Sequence, residues 1–186
     1  MADTATTIIP GYIVGTWTLD PVHSDVSFSV RHLMVSKVRG RFTALEGEIV
    51  TAENPLASSV TATIDLNSIV TGDENRDAHL RSTDFFDVAN HPTMTYRSTG
   101  LRPSGDGFVL DGTLTLHGVT KTVPLKLEVN GFQANTPMGT RVGFSATGVI
   151  SRSDFGIEFN MPLEGGGVVV GDKVSINLEI EGILQG

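Results

Sequence analysis

The sequence predicts an all-β fold, an antiparallel β-barrel of about eight strands with one or two short helices. Two observations carry this prediction. Apolar and polar residues alternate with a period of two in several segments, which is typical of strands with one buried face. The composition, with 21 glycines and many Val, Thr and Ile residues, favours strands and turns over helices. At 186 residues the chain suits one domain, which we place at 15–186 after an N-terminal extension at 1–14.

The strongest strand predictions are five segments in which every second residue is apolar and most of the others are Thr, Lys, Asp, Ser or Glu. They lie at 26–30, 60–66, 108–116, 123–129 and 174–180. Weaker candidates lie at 15–19, 42–51, 93–98 and 141–152. Each strand therefore has one face for the interior and one for solvent.

Short turn sequences separate these segments, among them Asn54-Pro55, Asn130-Gly131 and the glycine triplet at 165–167. Strands joined in this way form a meander. Because no long helix is predicted to cover a sheet of this size, closure into a barrel hides its edges best. A two-sheet sandwich is the structural alternative.

One segment departs from the period of two. Residues 73–81 predict a short helix, since acidic residues lie in its first turn and Arg81 lies in its last, where they complement the helix dipole. Asp77 and Arg81 are four residues apart on this helix and are expected to form an ion pair. The adjacent Phe85 and Phe86 cannot share one strand face, so we expect them to close a turn over one barrel end.

Composition argues against several classes of function. Acidic residues outnumber basic ones 21 to 13, so no basic patch and no nucleic-acid partner are expected. The absence of cysteine excludes disulfides and thiolate chemistry. No run of about 18 apolar residues predicts a membrane-spanning helix. The N-terminus lacks the charged and apolar regions of a signal peptide, so a cytoplasmic location is expected.

The residue types that carry catalysis or bind metals show no diagnostic spacing. The five histidines form no i,i+4 pair and no HExxH motif, so no metal site is predicted. No Gly-x-Ser-x-Gly elbow indicates a serine hydrolase, and the glycines at 165–167 lack the ending of a phosphate loop. Arg76, Asp77 and His79 are expected to have structural roles on the helix. We therefore predict no catalytic residue and no enzymatic activity.

The apolar strand faces carry the remaining functional information. A barrel of about eight strands is either filled by its own side chains or wide enough to enclose one ligand. The alternation agrees with both arrangements.

Five separated motifs stand out along the chain. They are HSDVSFSVRH at 23–32, VRGRF at 38–42, RDAHLRSTDFFDV at 76–88, GTLTLHGVTK at 112–121 and RSDFG at 152–156. Together these motifs resemble the YceI-like family. They occur in the family's order, and the resemblance extends over nearly the whole chain.

This resemblance implies an extended, lipocalin-like barrel that binds a polyisoprenoid chain or another long amphiphile, such as an isoprenoid quinone, in its interior. It implies binding or transport without catalysis, no cofactor other than the lipid, and a homodimer as the oligomeric state. Many members are exported, whereas this sequence shows no leader. Two alternatives stay open: an enzyme that acts on an isoprenoid or quinone-type substrate, and a stress-response or interaction module with a filled core.

The resemblance and the strand alternation together predict the binding residues. The tunnel wall is expected to consist of Phe28, Val30, Ile64, Leu66, Met94, Tyr96, Leu114, Leu116, Leu125, Leu127, Phe144, Ile176 and Leu178, with Phe85 and Phe86 at one end. Six polar residues match the family's signatures and are expected either to contact a ligand head group or to tie helix and strand ends together: His32, Arg76, His79, Arg81, His117 and Arg152. The segment 76–82 is the expected lid.

Overall fold

The computed structural model describes residues 8–164 and 166–186. In this part of the chain twelve strands form one antiparallel sheet, and eight of them close into a ring. The strands are β1 (Gly15–Leu19), β2 (Asp25–His32), β3 (Ser36–Phe42), β4 (Leu45–Thr51), β5 (Ser59–Asp65), β6 (Ile69–Val70), β7 (Thr93–Ser104), β8 (Gly107–Leu116), β9 (Val119–Thr122), β10 (Leu125–Thr136), β11 (Gly139–Ser151) and β12 (Val170–Leu184). One α-helix, α1 (Glu74–Arg81), lies between β6 and β7.

The ring runs in the order β1-β4-β5-β7-β8-β10-β11-β12 and closes where β12 pairs with β1, as in Trp17 opposite Leu184. β12 is the longest strand and pairs with two different strands along one of its edges. Residues 182–184 pair with β1, whereas residues 170–179 pair with β2. The β2–β3 hairpin therefore extends the barrel wall beyond the end of β1, which makes the barrel elongated.

The helix begins where the sequence predicts it. The side chain of Asp73 caps α1 by accepting a hydrogen bond from the backbone N–H of Arg76 at 3.0 Å. The helix has eight residues, and no helix in the described ranges is long and apolar enough to cross a membrane.

The predicted ion pair between Asp77 and Arg81 is wrong. The carboxylate of Asp77 accepts hydrogen bonds from the backbone N–H and the hydroxyl of Thr71. The guanidinium of Arg81 instead donates to the carbonyl oxygens of Asn67 and Ile69, at 3.2 and 3.3 Å. Both side chains are satisfied by the segment that precedes the helix, because α1 packs against it.

Several strand boundaries differ from the prediction; for example, the strand predicted at 93–98 extends to Ser104. The segment 60–66 ends at Asp65, whose side chain accepts a hydrogen bond from Asn67 N–H at 2.9 Å and starts a 3₁₀ turn, Leu66–Ser68. The segment 42–51 is divided between β3 and β4. The strand predicted at 123–129 begins only at Leu125, because Pro124 has no N–H for the sheet.

The buried core surrounds Trp17, which is fully buried on β1. Its indole N–H donates to the hydroxyl of Thr51 at 2.8 Å, and that hydroxyl donates to the carbonyl of Ile13 at 2.7 Å. The indole ring also packs edge-on against Phe132 at 5.7 Å between ring centroids. This cluster joins the closure of the ring to the segment before β1.

Candidate functional site

The interior of the barrel contains an apolar cavity of about 280 Å³. A cavity for one water needs roughly 10–15 Å³, and an apolar cavity of about 150 Å³ stays dry and binds benzene. The space is therefore too large to be a packing defect, and its lining of aliphatic and aromatic carbon disfavours water. The strand alternation left open whether the barrel is filled by its own side chains or is hollow. The cavity shows that the interior is hollow.

The cavity is also long. Along β12 its lining extends from Val170 through Val174 to Ile180, about ten residue steps. At about 3.3 Å per residue this wall is about 33 Å long, or about 25 Å along the barrel axis for strands tilted by about 40°. The hydrocarbon core of a bilayer is about 30 Å thick, which is a similar length. The shape suits an extended chain better than a compact ring system.

Two glycines make room for aromatic rings on the wall. A Cβ atom at Gly40 would collide with the ring of Phe28, and one at Gly112 would collide with the ring of Tyr96. Each ring can therefore lie close to the backbone of the neighbouring strand. The hydroxyl of Tyr96 donates to the carbonyl of Val123 at 2.8 Å, and burial raises its pKa to about 12.

One end of the cavity is lined by aromatic side chains, and we call it the aromatic end. Phe85 and Phe86 follow α1 in a turn, and both line the cavity. Phe86 packs edge-on against Phe42 at 5.9 Å, and Phe85 packs against Phe159 at 5.3 Å. Edge-to-face contacts of this kind stabilise the arrangement of these rings beyond the area that they bury.

The opposite end is formed by residues that precede β1. Ile9 and Tyr12 lie on the cavity wall, and the ring of Tyr12 packs edge-on against Phe132 at 5.3 Å. The Tyr12 hydroxyl donates to the carbonyl of Ala52 at 2.6 Å. Part of the segment assigned to an N-terminal extension thus contributes to the cavity, whereas residues 1–7 lie outside the described ranges.

Arg152 is the one charged residue on the described part of the cavity wall, and it lies at the aromatic end. Its guanidinium donates to four carbonyl oxygens, those of Ile157, Phe159, Val170 and Gly171, at 2.8–3.2 Å. No carboxylate in the described residues lies within ion-pair distance of it. Burial lowers its pKa by disfavouring the charged form, with a smaller opposing effect of Asp172.

A sequence profile of the YceI-like domain matches residues 17–182. The chain belongs to the YceI-like family. It is 38% identical over 165 residues to a UPF0312 protein of Pseudomonas paraeruginosa, covering 88% of this chain and 83% of the relative. It is likewise 38% identical over 167 residues to a UPF0312 protein of Staphylococcus epidermidis, covering 89% of this chain and 95% of that protein. The predicted membership of the family is confirmed.

Three solved structures share the fold. The YCEI protein of Campylobacter jejuni superposes with a TM-score of 0.69 at 26% identity, covering 97% of this chain and 95% of that one. A polyisoprenoid binding domain from Saccharophagus degradans superposes with the same score at 21% identity, covering 93% and 100%. BcnA of Burkholderia cenocepacia has a TM-score of 0.74 at 23% identity, covering 88% and 98%. The predicted lipocalin-like barrel is confirmed.

The structure brings the predicted wall residues of this YceI-like protein together with one exception. Leu66 is fully buried in the 3₁₀ turn after β5 and does not line the cavity, because the strand ends before it. The other fourteen, which are Phe28, Val30, Ile64, Phe85, Phe86, Met94, Tyr96, Leu114, Leu116, Leu125, Leu127, Phe144, Ile176 and Leu178, all line it. Their role in binding stays a prediction.

Of the six predicted head-group residues, Arg152 alone lines the cavity; His32, Arg76, His79, Arg81 and His117 do not. Arg76 donates to the hydroxyl and the carbonyl of Thr71 at 2.8 and 2.7 Å. His79 bonds to Asp84 at 2.8 Å, and Nδ1 of His117 lies 3.0 Å from the carbonyl of Phe155. These contacts favour the second expected role, which is to tie helix and strand ends together.

Sequence reasoning missed wall residues whose segments lie outside the strongest alternation. Leu19, Phe42, Leu45, Ile49 and Phe132 line the cavity, the first four on strands that were predicted only weakly. Phe132 follows Gly131, where β10 has an irregular register against β11, so an alternation counted from Leu125 does not reach it. Leu45 and Ile49 could have been found from the sequence, because both are at odd positions of β4 and alternate residues of a strand face the same side.

Two groups of histidine and carboxylate side chains lie outside the cavity, and in each the ligand atoms are within 4.8 Å of one another. In the first, Asp20, His23 and Glu181, the carboxylate of Asp20 already bonds to Arg141 at 2.6 Å. Burial raises the pKa of Asp20, but hydrogen bonds from His23 and Arg141 outweigh it and lower the value to about 2.

The second group, Asp87, His91 and His117, joins the turn after α1 to the β8–β9 hairpin. Asn90 donates to both carboxylate oxygens of Asp87, and the rings of the two histidines lie 5.0 Å apart. Each group could offer three ligand atoms to a cation, and the histidine spacing in the sequence gave no signal of either.

Proposed function

We propose that this protein binds a polyisoprenoid, or another long-chain amphiphile such as an isoprenoid quinone, inside the barrel and carries it without chemical change. The observation that carries the proposal is the long apolar cavity of about 280 Å³. Membership of the YceI-like family supports the ligand class, since a polyisoprenoid binding domain has the same fold.

The free energy that a long prenyl chain gains on complete burial is large. Burial of one carbon of a prenyl chain contributes about 0.8 kcal/mol, so a chain of roughly forty carbons has about 30 kcal/mol of gross transfer free energy. Measured affinities saturate near −18 to −21 kcal/mol, because association and chain ordering consume the remainder. We therefore expect tight binding with slow release in water.

Arg152 supports one orientation of the ligand. Its positive charge is buried at the aromatic end, and four of the five guanidinium N–H groups are already bonded to carbonyls. The charge attracts an electron-rich head group, such as a quinone carbonyl, a hydroxyl or a phosphate, to this end. The chain then extends towards Tyr12 and Phe132, where the wall is aromatic and aliphatic.

A carrier role is favoured over an enzyme by the polar groups on the wall. The raised pKa keeps the hydroxyl of Tyr96 protonated near neutral pH, and its hydrogen bond to a carbonyl occupies its proton. Arg152 is held in the same way by backbone carbonyls. Groups restrained like this support binding rather than proton transfer, which needs a group that titrates near the working pH.

The test is native mass spectrometry of the freshly purified protein, followed by solvent extraction and identification of the bound lipid. Leu116→Arg places a charge on the cavity wall and is expected to abolish copurification, whereas Thr115→Arg on the opposite face of β8 retains the lipid. Bare wild-type protein that also fails to take up added polyprenyl lipids would refute the carrier. Turnover of the extracted lipid would favour the enzyme. The same spectra give the oligomeric state, and the homodimer and the cytoplasmic location stay predictions.

A further inference from the structure

The hairpin between β2 and β3 ends in exposed apolar side chains. Leu33, Met34 and Val35 have exposed fractions of 41%, 51% and 83%. Met161 is 52% exposed and lies beside them, since Leu33 N–H donates to Val169 and Val169 N–H donates to Met161. We call these four residues the apolar tip. Exposed apolar side chains grouped at one site are a feature of interaction surfaces.

The backbone of this hairpin holds the apolar residues outward at a conformational cost. Leu33 and Met34 have φ angles of +52° and +63°, a region in which bulky residues are rarely found. Glycine and asparagine are the usual residues in such turns. Strained positions of this kind persist mainly at functional sites. The choice of leucine and methionine therefore points to a role for their exposed side chains.

A basic surface adjoins the apolar tip. Arg31, Lys37, Arg39 and Arg41 are all exposed, and Arg31 lies directly opposite Lys37 in the strand register. The spacing of the four residues places them on the outer face, opposite to the face of Val30 and Phe42. We call this face the basic ribbon.

The basic ribbon is unneutralised. None of its four side chains forms an ion pair in the described ranges. Residues 26–45 contain no acid, so this segment has a charge of +4, while the rest of the chain, with 21 acidic and 9 basic residues, has −12. The net charge of −8 conceals this local positive surface.

The tip and the ribbon lie at the aromatic end of the cavity. Val30 and Val170, which line that end, are each within three residues of Leu33 or its hydrogen-bond partner Val169. A surface on which the tip is seated would therefore face the end of the cavity that holds Arg152.

We propose that the hairpin docks this protein on an anionic lipid bilayer, with the apolar tip in the boundary between head groups and acyl chains and the basic ribbon on the lipid phosphates. Basic residues next to exposed apolar residues are the combination that such a surface attracts. A second copy of the chain is a poorer occupant, because a two-fold interface would place the two basic ribbons against each other. The docking deepens the proposed function, since it brings the cavity to the membrane from which a lipid is taken.

The experiment is flotation of the full chain with vesicles of phosphatidylcholine alone and with vesicles that contain an equal share of phosphatidylglycerol. Wild-type protein is expected to float with the anionic vesicles only, and to be released at 1 M salt, where charges are screened beyond about 3 Å. The charge variant is K37Q/R39Q and its control is K121Q/K126Q, which removes two exposed lysines from β9 and β10. At about fivefold per basic residue, the charge variant loses about 25-fold in vesicle affinity and the control loses much less.

The tip variant is M34N/V35S, and its control is M138N, which alters a methionine that is 57% exposed near the opposite end. The tip variant is expected to lose vesicle binding and M138N to retain it. Failure of wild-type protein to bind anionic vesicles, or equal losses in the variants and their controls, overturns the docking. If the tip variant has a different oligomeric mass from the wild type, the apolar tip is an interface with a second copy of the chain, and the proposed docking on a bilayer is overturned.

The bound lipid, measured by native mass spectrometry, separates this proposal from the proposed function. The charge and tip variants are expected to keep their lipid, because their side chains lie outside the cavity. Vesicle binding by a protein that carries no lipid and takes up no added polyprenyl lipid supports docking and refutes the carrier. Bound lipid without vesicle binding supports the carrier and refutes docking.

Discussion

Replacing Ala146 by phenylalanine tests whether a ligand chain occupies the cavity. Ala146 is buried on β11 and lines the cavity between Leu127 and Leu178, its partners on the neighbouring strands. The substitution adds a ring of six carbons to this narrow tunnel. The ring displaces about as many carbons of the ligand chain that passes this point.

The expected loss follows from the displaced carbons. At about 0.3 kcal/mol per non-hydrogen atom, six carbons cost about 2 kcal/mol, or about 20-fold in affinity. At the full transfer value of about 0.8 kcal/mol per carbon they cost about 5 kcal/mol, or about 3,000-fold. We expect Ala146→Phe to weaken binding of the longest prenyl chain within these limits and to leave the shortest chains almost unaffected.

The assay is a competition titration with prenyl alcohols of graded length, with Thr147→Phe as the control because Thr147 is exposed on the outer face of the same strand. Stability should not fall in Ala146→Phe, since the ring enters empty space. Equal affinity of wild type and variant for the longest chain would refute the reasoning. So would an unfolding free energy lower by about 1–3 kcal/mol, which is the cost of overpacking a filled core.

Three further predictions concern stability. The pKa of Asp20 is about 2 in the folded chain and 3.8 otherwise, so its carboxylate stabilises the fold by about 2 kcal/mol at neutral pH. This contribution is lost as the pH falls from about 4 towards 2. Over this pH range the unfolding free energy from urea titrations should decline less steeply for Asp20→Asn than for the wild type. Thr51→Val leaves the fully buried indole N–H of Trp17 without its acceptor and should cost about 1–3 kcal/mol in urea unfolding, whereas Thr51→Ser should cost less. Arg152→Lys cannot reach all four carbonyls and should lower the melting temperature strongly even without ligand; an unchanged melting temperature would remove the structural role of the guanidinium.

The alternation of apolar and polar residues predicted most of the inner wall, because successive side chains of a strand point to opposite faces of the sheet. Leu114 and Leu116 lie on β8, where buried and partly buried residues alternate without interruption over ten positions. The alternation predicted the wrong side-chain direction where a hydrogen bond to a side chain ends the strand. Asp65 bonds to the backbone two residues later, and Leu66 leaves the sheet as a result. The Asp-x-Asn spacing was a local signal for that turn.

The polar residues could not be assigned from the sequence, because their partners are distant in the chain or belong to the backbone. Arg152 and His79 each belong to one of the five motifs, and the sequence does not distinguish their roles. In the structure Arg152 lines the cavity, whereas His79 bonds to Asp84 at the surface. The basic ribbon was hidden for a similar reason. Net charge sums over the whole chain, whereas an interface depends on which four charges share one face.

The sequence by itself determined that the protein consists of antiparallel strands, which residues of the most regular strands share the inner face, and that it belongs among YceI-like proteins, because these properties follow from local alternation, turn residues and motifs. Only the tertiary structure decided that the interior is hollow, that Arg152 is the charged residue on its described wall, and that apolar and basic side chains meet beside one end of it. The physical reason is closure. The width of a barrel depends on how strands far apart in sequence pair and tilt, and the same apolar side chains fill a narrow ring or line a wide one.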